Sequence, residues 1–109
     1  MKIIMMPVSD PRKRKYAYHF FYFTSLNQVS LQVLKADPSV PELMYIAEDK
    51  LCHCFLKLDQ QQEALPFCSA ALGRHQEPRI LCDRAEVYIA LDMLDEAQQD
   101  YAKVKLKQI

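Results

Sequence analysis

Four cysteines and three histidines are the residues of this 109-residue chain whose types could do chemistry. Cys52-His53-Cys54 places three metal-ligating types side by side, and Cys68 and Cys82 follow. Structural zinc needs four ligands converging on one ion. Neighbours on a helix point about 100° apart, so these three cannot share a metal if the stretch is helical. His19 and His75 have no cysteine at ligand spacing. No metal and no cofactor is therefore expected. There is no Cys-x-x-Cys pair and no histidine beside Cys82, so thiol redox chemistry rests on cysteine count alone and the chain is not expected to be an enzyme. The remaining uses of sulfur are bonding between cysteines or packing as small apolar side chains.

The elements that position these residues are helical. Half the residues are hydrophobic and only one is glycine, which favours helices over a turn-rich β protein. Fourteen basic and fourteen acidic residues cancel, so no global field draws in nucleic acid or membrane. No apolar run reaches the roughly 20 residues of a membrane span. The organising stretch is Asp83-Arg84-Ala85-Glu86-Val87-Tyr88, a connector, then Asp95-Glu96-Ala97-Gln98-Gln99-Asp100-Tyr101. It reads as two amphipathic helices joined by a short turn. Ala85 and Ala97 sit where the backbones approach, and Tyr88 and Tyr101 fill the space beside them. The pattern occurs once before, 33 positions earlier, with Cys52 for Ala85, Phe55 for Tyr88, Ala64 for Ala97 and Cys68 for Tyr101. Two helices per unit at that period is the tetratricopeptide signature. The expected fold is all-α, a fragment of an α-solenoid made of tetratricopeptide hairpins.

The chain divides accordingly. Residues 1–28 read as a non-family N-terminal segment, best taken as a disordered tail. Its basic run Arg12-Lys13-Arg14-Lys15 comes too late for a good signal peptide. Nuclear import, anionic-lipid or nucleic-acid contact through that run are the sharper alternatives. Residues 29–40 read as the end of a preceding repeat, which Leu26, standing where a small residue belongs, makes incomplete. Residues 41–76 and 77–109 are the two repeats. Helices are expected over about 42–58, 62–72, 79–91 and 94–107, with Pro41 at a first helical position. Gly73 is read as a C-terminal cap, and Pro66 must fall in the first turn or two of its helix. Stacked hairpins usually need about three repeats to bury their apolar faces. Two hairpins therefore call for a partner, a covalent staple or marginal stability. Val104 and its neighbours are expected to be exposed where a further helix would cover them.

Residues 45–109 match the tetratricopeptide consensus. Small residues stand at the eighth place (Cys52, Ala85) and the twentieth (Ala64, Ala97), and aromatics at the eleventh (Phe55, Tyr88). The string Leu51-Cys52-His53-Cys54-Phe55, Glu63-Ala64-Leu65, Cys68-Ser69, Asp83-Arg84-Ala85-Glu86, Asp95-Glu96-Ala97 and Gln99-Asp100-Tyr101 resembles the last two repeats of the DnaJ homologue subfamily C co-chaperones of the endoplasmic reticulum. Leu34 to Val40 resembles the end of the repeat before them, so the resemblance covers about residues 29–103. It implies binding of unfolded or misfolded polypeptides and inhibition of a stress-response protein kinase. It implies an endoplasmic-reticulum lumen location, or a cytoplasmic one where no signal peptide is supplied. It also implies a disulfide between Cys52 and Cys68, expected in an oxidising compartment; in the cytosol the two are expected as buried free thiols. Contact with a heat-shock chaperone is implied only through a J domain, whose His-Pro-Asp motif does not occur here. The chain therefore resembles a fragment or alternative product that has lost that module.

The inner face of such repeats carries Ile46, Asp49, His53 and Leu56 from one unit and Arg79, Cys82, Glu86 and Ile89 from the next. Some tetratricopeptide domains grip chaperone C-terminal carboxylates with a basic clamp. Here Asp49, Asp83 and Glu86 would repel a carboxylate, so no clamp is expected. The mixed apolar and charged face fits an extended or unfolded polypeptide better. The competing reading is a truncated, non-functional or regulatory product.

Overall fold

The computed structural model describes residues 11–36 and 39–107. Among the described residues there are five helices: α1 (Pro11–Ala36), α2 (Pro41–Lys57), α3 (Gln61–Arg74), α4 (Pro78–Ala90) and α5 (Leu94–Lys107). Pro41 and Pro78 open α2 and α4. There the missing N–H costs nothing and the fixed φ already suits a helix. Among the described residues no helix is long and apolar enough to cross a membrane.

The turns inside the two hairpins are copies of one another. Asp59 and Asp92 both take left-handed backbone, with φ of 58° and 60°. In the first turn the Asp59 N–H donates to the Leu56 carbonyl at 3.1 Å and the Gln60 N–H to the Phe55 carbonyl at 2.8 Å. In the second, Asp92 donates to Ile89 at 3.0 Å and Met93 to Tyr88 at 2.7 Å. These paired bonds close the last carbonyls of a helix when the following residue turns left-handed. Aspartate accepts that conformation more readily than most side chains.

Gly73 does not cap α3. The helix continues to Arg74, and no glycine has positive φ. The chain leaves through His75 in extended geometry, its N–H donating to the Ala71 carbonyl at 3.0 Å. The Gln76 amide closes the Leu72 carbonyl at 2.8 Å. No left-handed turn is needed, so the freedom of glycine goes unused. Pro66 lies in the second turn of α3, where it leaves the Gln62 carbonyl without its helical N–H partner.

Helices α2 and α3 form one hairpin and α4 and α5 the other; α3 and α2 both pack on α4, and α1 packs on α2. The core runs through the junction: Cys52, Ala64, Cys68, Ala71 and Leu72 bury against Ile80, Leu81 and Val87. Phe55 and Phe67 stack at its edge, with ring centroids 5.8 Å apart. Ala85 and Ala97 are buried where α4 meets α5. Tyr101 departs from expectation, for it is 42% exposed. Its equivalent Cys68 is buried because α4 covers it, whereas among the described elements α5 packs on α4 alone.

Helix α1 runs through residues 11–28, which composition assigned to a disordered tail. The reason is local and tertiary together. No proline or glycine interrupts the stretch after Pro11, and Phe23, Asn27 and Ser30 recur on one face and are buried. The basic run Arg12–Lys15 lies in its first turns. Residues 1–10, with the leader question they raise, lie outside the described residues.

A Cβ at Gly73 would meet nothing within 4 Å. Gly73→Ala is therefore expected to raise stability by about 0.5–1 kcal/mol through lost chain entropy in the unfolded state. Urea unfolding followed by circular dichroism checks it, and a lower midpoint would contradict the assignment.

Candidate functional site

The eight inner-face positions lie on α2 and α4. Their side chains do not contribute alike. Ile46 and Ile89 are about half exposed, Arg79 and Glu86 are exposed, and His53, Leu56 and Cys82 are half-buried. Asp49 is buried.

The charges between these residues are largely paired with each other. Arg79 Nη2 donates to Asp49 Oδ2 at 2.5 Å, crossing from α4 to α2. Its Nη1 lies 3.7 Å from Asp83 Oδ2, one turn along α4. That same oxygen is 3.1 Å from His53 Nδ1 on α2. The Phe23 ring of α1 meets the His53 ring edge-on at 5.8 Å. The hydrogen bond to Asp49 holds the Arg79 guanidinium pKa above its ordinary value. Of the three acidic side chains expected to repel a carboxylate, Asp49 and Asp83 are engaged by Arg79 and His53, and only Glu86 stands exposed.

The four cysteines separate into three environments. The sulfurs of Cys52 and Cys68 lie 2.08 Å apart with their Cα atoms at 4.7 Å, which is disulfide distance, and both residues are fully buried. Cys54 is buried, and burial pushes its thiol up to about 11. Cys82 is half-buried. A reactive thiol needs access and a lowered pKa, and Cys54 has neither. Among the described residues no three metal-ligating side chains are grouped as a cation would need.

Sequence reasoning missed the strongest polar contact. Arg84 Nε and Nη2 donate to Asp100 Oδ2 and Oδ1, each at 2.7 Å, with Asp100 only 2% exposed. The same guanidinium donates to Ser69 Oγ at 3.3 Å and lies 5.6 Å from the Tyr88 ring centroid. It thus ties α3, α4 and α5 together. The two-pronged contact with Asp100 raises the Arg84 pKa. A signal was present: the equivalents of Arg84 and Asp100 one repeat earlier are Leu51 and Phe67. Both positions are apolar in one unit and oppositely charged in the other. A second missed pair, Arg74 Nε to Glu48 Oε1 at 2.6 Å, fastens the end of α3 to α2.

Two expectations follow. Arg84→Leu leaves Asp100 buried without a counter-charge and is expected to cost about 3–5 kcal/mol. Arg84→Leu with Asp100→Phe copies the first repeat and is expected to regain most of that; denaturant melts of the three chains decide it, and additive losses would refute the pairing. In the folded chain, iodoacetamide should modify Cys82 well before Cys54, as read by mass spectrometry. The Cys54 thiol keeps its proton to about 11 when folded and gives it up near 9.0 when unfolded, so its contribution to stability is lost as pH rises between those values. Equal labelling rates at pH 8 would contradict the burial.

No family model matches the chain. Among curated proteins, DnaJ homolog subfamily C member 3 of Rattus norvegicus is 43% identical over 70 residues, covering 63% of this chain and 14% of the relative. The Homo sapiens protein of that name is 42% identical over 70 residues, with the same coverage. The chain thus spans about one seventh of the length of these relatives. Among solved structures, the crystal structure of the P58(IPK) TPR domain superposes with a TM-score of 0.71 at 32% identity, covering 86% of this chain and 26% of that one. Helical hairpins at a 33-residue period, the sequence relatives and the shared architecture agree: this is an all-α tetratricopeptide-repeat chain, similar to DnaJ homolog subfamily C member 3 in the repeats it carries.

Proposed function

We propose that the chain is a protein-binding tetratricopeptide module of a co-chaperone, which holds unfolded or misfolded polypeptide along the α2–α4 face and performs no catalysis. One observation carries the reading. Ile46 and Ile89 are half exposed on that face, and between them Arg79 pairs with one oxygen of Asp49 and His53 with Asp83, while the other Asp49 oxygen is buried without a hydrogen-bond partner. Such a surface offers apolar anchors without a strong field to select one charged terminus, which suits extended chains of varied sequence. The similarity to J-domain co-chaperones supports it, and supports inhibition of a stress-response kinase as a finer role of the same module. The close sulfurs of Cys52 and Cys68 suit an oxidising compartment such as the endoplasmic-reticulum lumen.

The test is suppression of aggregation of reduced insulin B chain by the full chain. Ile46→Asp with Ile89→Asp is expected to weaken suppression at least fivefold while leaving the circular dichroism spectrum unchanged. If the unmodified chain suppresses nothing, the alternative of a truncated regulatory product replaces this reading.

A further inference from the structure

The charges that cancel over the whole chain are unevenly placed. Helix α1 carries Arg12, Lys13, Arg14, Lys15 and Lys35, and no aspartate or glutamate. All fourteen acidic residues lie outside it, against nine of the fourteen basic ones. Four of the five cations fall in its first turns. Charge segregated in this way within a chain marks contact with an anionic surface.

The same helix presents apolar side chains on two sides. One side, with Phe23 buried, packs on α2. Another carries Tyr22, Leu26 and Val29 at helical spacing. Tyr22 is 63% and Val29 56% exposed, and Leu26 is half-buried. With Phe21 and Ser25 they line one open groove of about 500 Å³. Among the described elements α1 packs on α2 alone, so none of these helices covers the groove. Leu26 and Val29 stand four and seven positions after Tyr22; the same steps backward reach Tyr18 and Lys15. By register, then, the apolar stripe runs into the basic turns along one face of the helix.

We propose that this face of α1 lies on an anionic lipid surface, with the helix in the plane of the interface. The first turns meet the anionic headgroups, and Tyr22, Leu26 and Val29 enter the boundary between headgroups and acyl chains. Tyrosine suits that depth because its ring is apolar and its hydroxyl stays wet. Basic residues beside an apolar stripe hold a helix at an interface without spanning it. Leu26 and Val29 favour lipid over single-stranded nucleic acid, which is gripped by stacking on aromatic rings. The contact uses α1 and does not depend on polypeptide binding along the α2–α4 face.

The experiment is co-sedimentation of the full chain with vesicles of phosphatidylcholine alone and of phosphatidylcholine mixed with phosphatidylserine. Binding to the mixed vesicles is expected to be about tenfold stronger, from several lysines and arginines near the surface, and the preference should shrink as salt is raised. Arg12→Gln with Arg14→Gln should reduce the preference. Tyr22→Ser with Val29→Ser, at exposed positions and with an unchanged circular dichroism spectrum, is expected to weaken binding about fivefold. No binding, equal binding to the two vesicles, or binding indifferent to the serine pair would each overturn the proposal. So would tighter binding of oligouridylate than of vesicles, which gives the basic turns to nucleic acid. Binding that emerges only after deletion of residues 1–10 would overturn it as well, because that segment would then be the occupant of the groove. None of these outcomes touches the insulin assay, which reads Ile46 and Ile89.

Discussion

A helical hairpin of this length hides one side of each helix and leaves the other wet. The fold depends on removing that second side from water, and here the α3–α4 contact does so. Cys68, Ala71 and Leu72 of α3 share one buried cluster with Ile80 and Leu81 of α4. Hydrophobic burial is nondirectional and roughly proportional to area, so this contact alone does not fix how the hairpins are rotated against each other. The polar bridges do that. Arg79 reaches back to Asp49, and Asp83 to His53, one helical turn apart along the same seam.

The two repeats solve the inside of the hairpin differently. In the first, Cys52 and Cys68 meet at disulfide distance in the core beside Ala64. In the second, Ala85 and Ala97 bring the helices together, and the Arg84–Asp100 pair clamps them from a neighbouring position. Charges buried at this depth are costly unless every hydrogen bond is made. The fork of Arg84 meets both oxygens of Asp100 and has Ser69 and Tyr88 for its remaining surface. The geometry makes the pair tolerable and makes loss of either member expensive.

The candidate binding face follows from the same seam. Charges that lock α2 to α4 are drawn from inner-face positions, so those residues are partly consumed by architecture. What remains for a partner is Ile46, Ile89, Glu86 and the uncovered parts of His53, Leu56 and Cys82. The face is therefore less acidic in effect than its residue list. Helix α1 adds a boundary, since Phe23 closes against the His53 ring.

Sequence by itself determined the helices, their period and the small residues at the crossings. These are local and periodic properties: Pro41 and Pro78 set helix starts, and Ala64, Ala85 and Ala97 mark where backbones touch. Aspartate at both 59 and 92 repeats one turn. The extent of α1 was not legible, because its composition resembles a tail until the burial of Phe23, Asn27 and Ser30 is seen. Gly73 was misjudged because an extended exit and the Gln76 amide take over the cap. Only the tertiary structure decided which charges are free. Asp49 meets Arg79 across 30 residues of chain and Arg84 meets Asp100 across 16. A charge in sequence has no partner until packing brings two helices side by side and excludes the water that would otherwise serve as one.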